Sequence, residues 1–123
     1  MANILIVDDQ PEVCDVLRRL FKVSGWSADC ITDPKSVYDT VRQRRPDVVM
    51  LDIMMPELDG FGILGAIRND PEVRTIPVVM YSALDDEKTV DRALGAGADD
   101  YIVKGTPFRQ IKERVGLYVN QQH

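Results

Sequence analysis

Five short apolar runs, each followed by an amphipathic stretch, constrain this chain more than any other feature. The runs are Ile4–Val7, Ser27–Ile31, Val48–Leu51, Val78–Tyr81 and Tyr101–Val103. They are short and mostly apolar at successive positions, which suits parallel strands covered by helices on both faces. Between them the spacing turns helical. Val13, Val16, Leu17, Leu20 and Phe21 recur every three or four residues, and Pro11 suits a first helical turn. Asp33-Pro34 and Thr106-Pro107 each pair a capping side chain with a proline at the first helical position. The pattern predicts helices over about 11–24, 34–44, 60–68, 86–95 and 107–120, with Gly25 and Gly95 at the stops of the first and fourth. Five strand-then-helix units predict an α/β fold, a doubly wound parallel sheet of five strands, because parallel neighbours require right-handed crossovers.

Size and composition narrow the class. The 123 residues make one domain, residues 1–123, with room for one core. No apolar run approaches the roughly 20 residues that span a bilayer, and Met1-Ala2-Asn3 lacks the basic start of a secretion signal. Membrane insertion is therefore not expected. A net charge of −5 argues against direct nucleic-acid binding, which needs clustered Lys and Arg. Cys14 and Cys30 lack CxxC spacing and read as free thiols of a reducing, cytoplasmic protein.

In sheets of this kind ligands bind outside the carboxyl ends of the strands. Read in order, those ends carry Asp8-Asp9, Asp52, Ser82 and Lys104. Any one of them is ordinarily a cap, a turn residue or a solvated charge. Together they place three carboxylates, a hydroxyl and an ammonium at one edge. Three crowded carboxylates raise one another's pKa values and destabilise the fold unless a cation offsets them. All-oxygen ligation suits Mg²⁺, and a phosphoryl group would complete the set, with metal and lysine neutralising its oxygens and Ser82 donating to one of them.

These residues, within Ile4-Leu5-Ile6-Val7-Asp8-Asp9, Val48 through Gly60, Tyr81-Ser82-Ala83 and Gly95 through Lys104, resemble the receiver domain of response regulators in two-component signalling, chemotaxis-regulator-like and flavodoxin-like in fold. The resemblance implies a (βα)5 sheet of strand order 2-1-3-4-5 and a phosphoprotein switch of a two-component system or phosphorelay. It implies that Asp52 accepts a phosphoryl group from a histidine kinase or histidine phosphotransfer protein, and that Asp8, Asp9, Asp52 and the main-chain carbonyl of Met54 hold Mg²⁺, Asp8 largely through a water. Lys104 would pair with Asp52 and then with the phosphoryl oxygens, Ser82 and Tyr101 would act as the switch, and Gly60 would permit a tight turn. The chain would catalyse its own phosphorylation and dephosphorylation without being a turnover enzyme, and would pass the signal to a downstream protein. His123, the only histidine, is a poor phosphodonor, so the donor is expected on another protein.

One departure concerns the residue after Lys104. The family usually has a proline there in a cis bond, whereas this chain has Gly105, which implies a trans bond and a bend supplied by glycine. Met54 and Leu84 are apolar where polar side chains could orient a hydrolytic water, implying a long-lived phosphoryl group. The fourth helix and its approach are acidic (Asp85, Asp86, Glu87, Asp91) and the fifth carries Arg109, Lys112 and Arg114, which reads as a solvated charged face, while Val115, Leu117, Tyr118 and Val119 are apolar on more than one side. A homodimer through the face of helix 4, strand 5 and helix 5 is thus open. The chain reads as a stand-alone receiver; the alternatives are a receiver belonging to a larger response regulator or hybrid kinase, a docking scaffold, and, more remotely, an aspartate-nucleophile phosphohydrolase. The last would want a second Asp two residues after the nucleophile, where Met54 stands and cannot transfer a proton.

Overall fold

The computed structural model describes residues 2–55 and 59–119, apart from the side chain of Pro34. His123 and the stretch 56–58 lie outside the described residues. The element order is β1 (Asn3–Val7), α1 (Pro11–Val23), β2 (Ser27–Ile31), a single 3-10 turn (Pro34–Ser36), α2 (Val37–Arg44), β3 (Val48–Leu51), α3 (Gly60–Asn69), β4 (Val78–Ser82), α4 (Glu87–Gly95), β5 (Asp100–Val103) and α5 (Phe108–Val119). All pairings are parallel, in the order β2-β1-β3-β4-β5. The doubly wound sheet and its strand order are those expected.

Alternation along each strand divides the core into two layers. Leu5, Val7, Val49, Leu51, Val78, Met80 and Tyr101 point to one face, where Val37 and Val41 of α2, Ile63, Leu64 and Ile67 of α3 and Ala93 of α4 cover them. Ile4, Ile6, Val48, Met50, Val79, Tyr81 and Ile102 point to the other face. There Cys14, Leu17 and Phe21 of α1 and Ile111, Val115 and Val119 of α5 close the layer. Strands buried on both faces explain why their sequences read as apolar runs rather than alternating ones. Cys14 is buried, Cys30 half-buried, and both are free thiols. Among the described residues no helix is long and apolar enough to cross a membrane.

Several local expectations need correction. The segment expected as one helix over 34–44 opens as the 3-10 turn, with Asp33 Oδ1 accepting from the Lys35 amide at 3.1 Å, and becomes α-helical only at Val37. Thr106 does not cap α5, because its hydroxyl donates to the Val103 carbonyl at 2.7 Å. Gly95 is the last residue of α4 rather than its stop; the left-handed residue is Gly97 (φ +108°). Gly25 (φ +90°) does sit just past α1. At the end of α5, Val115 and Val119 are core residues and the Tyr118 hydroxyl donates to the Asp99 carbonyl. Leu117 alone of the four is an exposed apolar side chain.

Candidate functional site

The sheet register brings the site together. Val7 aligns with both Ile31 and Leu51, so the chain leaves β1 and β3 side by side. The Asp52 amide donates to the Val7 carbonyl at 3.0 Å, and the Asp8 amide to the Ile31 carbonyl at 3.1 Å, extending the ladders one step beyond the strands. The Lys104 amide donates to the Ser82 carbonyl at 2.8 Å, which fixes the β5 exit against that of β4. Each of the four residues is thus positioned by backbone hydrogen bonding before its side chain does anything.

Asp8, Asp52 and Ser82 are the only fully buried polar or charged side chains among the described residues, at 1%, 5% and 1% exposure. Burying them is unfavourable unless they are paired, and a core would not otherwise collect them at one edge. Lys104 supplies the pairing: its Nζ donates to Asp52 Oδ2 at 3.0 Å and lies 2.7 Å from Asp8 Oδ2. Burial nonetheless pushes the Asp52 carboxyl above its usual range, against the pull of Lys104 and with a further push from Asp8. For Lys104, burial opposes the charged form, but its hydrogen bond to Asp52 and its ion pairs with Asp8 and Asp52 outweigh it and hold the ammonium above its ordinary value.

One lysine does not satisfy three carboxylates. Ligand oxygens of Asp8, Asp9 and Asp52 lie within 4.8 Å of one another, and buried Asp8 Oδ2, although close to Lys104, has no aligned hydrogen-bond donor. Hard oxygen donors gathered in this way, one of them under-satisfied, fit a small divalent cation such as Mg²⁺. Met54 stands two residues beyond Asp52; its amide faces Asp52 Oδ1 at 3.4 Å, it bridges to Asp59, and its side chain is 64% exposed.

Gly60 matters for a reason other than turning. Its amide donates to the Ile53 carbonyl at 2.8 Å, and a Cβ built on it would lie 2.2 Å from the Asp52 carbonyl oxygen and 2.8 Å from Ile53 Cα. The start of α3 therefore rests directly on the backbone that carries Asp52, and only a residue without a side chain fits. Asp59 caps the same helix, accepting from the Phe61 amide at 2.9 Å.

Ser82 and Tyr101 are joined through a residue whose main chain the sequence does not advertise. The Leu84 amide donates to Ser82 Oγ at 3.2 Å, and its carbonyl accepts from the Tyr101 hydroxyl at 2.7 Å. Tyr101 itself is buried, which raises its phenol pKa. The turn after β4 is thus held at both ends by the two side chains expected to act as a switch. Past Lys104, the backbone contains no cis peptide bond among the described residues, and Gly105 takes φ +98°, so glycine supplies the bend. Tyr81, which the sequence did not single out, lies beneath the lysine, with Lys104 Nζ 5.8 Å from its ring centroid.

The face of α4, β5 and α5 carries the expected charges, but several are engaged internally. Asp86 caps α4 through the Thr89 amide, and Arg114 grips Asp100 and the Tyr101 carbonyl.

Comparison with known proteins agrees with this geometry. Residues 4–116 match the response regulator receiver domain family. A probable transcriptional regulator, ycf27 of Guillardia theta, is 37% identical over 113 residues, which are 92% of this chain and 43% of that protein. The chain therefore spans less than half the length of that relative. Among solved structures, the receiver domain of a Francisella response regulator superposes with a TM-score of 0.92 at 26% identity, covering 100% of each chain. The receiver domain of a signal transduction histidine kinase from Syntrophus aciditrophicus superposes at 0.89 with 28% identity, over 100% of this chain and 95% of that one. With the family matched across nearly the whole chain and the same fold in solved receivers, this chain belongs to the response regulator receiver domain family of two-component signalling.

Proposed function

We propose that Asp52 is the phosphoacceptor of a signalling switch. The observation that carries this reading is the buried Asp52 carboxylate held by Lys104 within a cluster of three carboxylates. A carboxylate oxygen of Asp52 attacks the phosphorus of a phosphohistidine on a partner kinase or phosphotransfer protein. The new O–P bond forms as the P–N bond breaks, and the imidazole departs. Asp8, Asp9, Asp52 and the Met54 main-chain carbonyl would hold Mg²⁺, which when bound offsets charge on the transferring oxygens. Lys104, already between Asp8 and Asp52, is placed to follow the phosphoryl oxygens as they arrive. The domain acts on itself in this way and is not a turnover enzyme.

Phosphorylation adds about −1.5 to −2 charges, and a response follows only if some element has two arrangements that interact differently with that charge. The turn after β4 is such an element. If Ser82 donates to the phosphoryl group, its oxygen leaves the Leu84 amide, and the Leu84 carbonyl that holds Tyr101 is released with it. The surface around β4, β5 and α4 then changes for a downstream partner, in a cytoplasmic setting.

The test is intact mass after incubation with Mg²⁺ and acetyl phosphate. A gain of about 80 Da, one phosphoryl group, that requires Mg²⁺ and is lost in Asp52→Asn supports the reading; a gain retained in Asp52→Asn refutes the assignment of the acceptor. Met54 and Leu84, two residues after Asp52 and Ser82, are apolar where polar side chains could orient a hydrolytic water. The phosphorylated form should therefore persist for minutes or longer, and loss within seconds in the same assay would contradict this.

A second reading concerns context. Because the chain spans 43% of ycf27, the receiver fits equally as the input part of a longer regulator. Its output would then be the activity of an attached domain.

A further inference from the structure

We infer that the cleft between the end of α1 and the start of β2 is a binding site for a nucleotide, a planar ring carrying two or more phosphates. The cleft measures about 720 Å³ and is lined by Arg18, Arg19, Lys22, Gly25, Trp26, Ser27 and Ala28. Because α1 runs back against the parallel strands, the cleft opens at the amino edge of the sheet, away from Asp52.

Charge is the first reason. The chain carries a net charge of −5, yet three cations fall within five residues here and no carboxylate among the described residues lines the cleft. Neither Arg19 nor Lys22 has a carboxylate partner among the described residues. Arg18 is held by Asp15 through one Nη at 2.9 Å, which orients the guanidinium and leaves its other donors available. Like charges one turn apart on a helix repel, and an anion between them removes that penalty.

A helix C-terminus ordinarily disfavours an anion. Here three of the last four carbonyls of α1 are hydrogen-bonded: Leu20 and Phe21 accept from Ser24, Phe21 also from Trp26, and Lys22 from Gly25. The carbonyls of that turn are thus largely engaged internally, which weakens their repulsion of a phosphate.

Size and lining chemistry decide the rest. A single phosphate would leave most of 720 Å³ unfilled, whereas the volume lies in the range of small-molecule sites. Trp26 supplies a rigid apolar wall, stacked on Phe21 with centroids 5.7 Å apart, while Phe108 meets Phe21 edge-on at 5.1 Å. Cations and an indole lining one cleft match a ligand that carries both phosphates and a ring.

Trp26 is the sole tryptophan, so its fluorescence reports on the cleft directly. The protein is titrated with ATP in the presence of a chelator, by calorimetry and fluorescence, beside adenosine and inorganic tripolyphosphate. The expected result is saturable ATP binding with Kd below about 1 mM, weaker binding of tripolyphosphate and none of adenosine. Replacing two charged hydrogen-bond donors, R19E with K22E, should weaken ATP at least about tenfold. R19Q with K22Q should weaken it in the same direction while leaving the thermal midpoint in place. Absence of saturation, or equal affinity in the charge-reversed protein, overturns the site. Tripolyphosphate binding as tightly as ATP overturns the assignment of a ring. Either failure leaves Asp52 chemistry untouched, because phosphorylation is read at the opposite edge.

Discussion

The two edges of this sheet carry opposite charge and handle it in opposite ways. At the carboxyl edge, Asp8 and Asp52 are buried, and Lys104 is drawn in to pair with both. At the amino edge, Arg19 and Lys22 stand exposed on the last turns of α1 with no carboxylate beside them among the described residues. Desolvated charges couple strongly to folding, whereas solvated ones barely do. The carboxyl edge therefore costs stability in exchange for a poised site. The amino edge holds its charges at little cost until a ligand meets them. Substitutions at the two edges should differ in size, in sign and in their response to Mg²⁺.

The largest effect is expected at Lys104. Lys104→Met leaves two buried carboxylates without their cation, and breaking such a pair costs about 3 kcal/mol. Denaturant unfolding in the presence of a chelator should show that loss, and added Mg²⁺ should recover much of it by offsetting the same charge. A loss that Mg²⁺ leaves unchanged would mean that Lys104 stabilises through packing rather than through the carboxylates.

Gly60→Ala comes next. Its Cβ would sit 2.2 Å from the Asp52 carbonyl oxygen, so α3 or the Asp52 backbone must shift, at about 2 kcal/mol by the usual cost of overpacking. Because the displaced backbone carries Asp52, the acetyl phosphate reaction should slow as well. Gly62→Ala, whose Cβ meets nothing within 4 Å, serves as the control and should leave both readouts in place.

These two residues also show what the sequence can and cannot convey. Asp8, Asp9, Asp52, Ser82 and Lys104 were legible because a parallel sheet aligns its strand ends, and a residue's place after a strand fixes its place in the site. Gly60 was visible as a glycine, but its reason was not: the steric contact with Asp52 depends on how closely α3 approaches β3, which no local pattern encodes. Leu84 was noticed for its side chain, whereas its amide and carbonyl are what tie Ser82 to Tyr101. Thr106 shows the converse failure. Its capping pattern is present, but the Val103 carbonyl lies close enough to take the hydroxyl first. Gly95 and Gly97 lie within one turn of each other, and only the packed geometry shows which takes positive φ. Arg18, Arg19 and Lys22 could be read as a basic helix face, but the cleft they share with Trp26 exists only once α1 has docked on β2.

A third effect has the opposite sign. Burial raises the Asp52 pKa above its unfolded value, so the folded state holds this proton more tightly than the unfolded one. Ionised Asp52 therefore subtracts from stability at neutral pH, and the subtraction fades as pH falls through the raised folded pKa toward the ordinary carboxylate range. Asp52→Asn should be more stable than the parent at pH 7 without Mg²⁺, by about 1 kcal/mol, which corresponds to several degrees in Tm for a domain of this size. The gap should narrow in acid, and Mg²⁺ should narrow it from the other side by stabilising the parent alone. A less stable Asp52→Asn would mean that the bond to Lys104 outweighs burial.

The smallest effect belongs to the amino edge, and it sharpens the contrast most. Arg19→Gln and Lys22→Gln remove exposed charges whose carbonyl neighbours are already bonded within the turn. Lys22 in the last turn of α1 gains a few tenths of a kcal/mol from the helix dipole, while the charges of Arg18 and Lys22 one turn apart lose a similar amount. The two contributions nearly cancel, so each variant should unfold within about 0.5 kcal/mol of the parent at any Mg²⁺ concentration. A larger loss would show that these cations are already engaged in the unliganded protein, and the amino edge would then resemble the carboxyl edge after all. Stability that stays flat, alongside ATP binding that falls, would instead separate a surface built to meet a ligand from one built around its own buried charge.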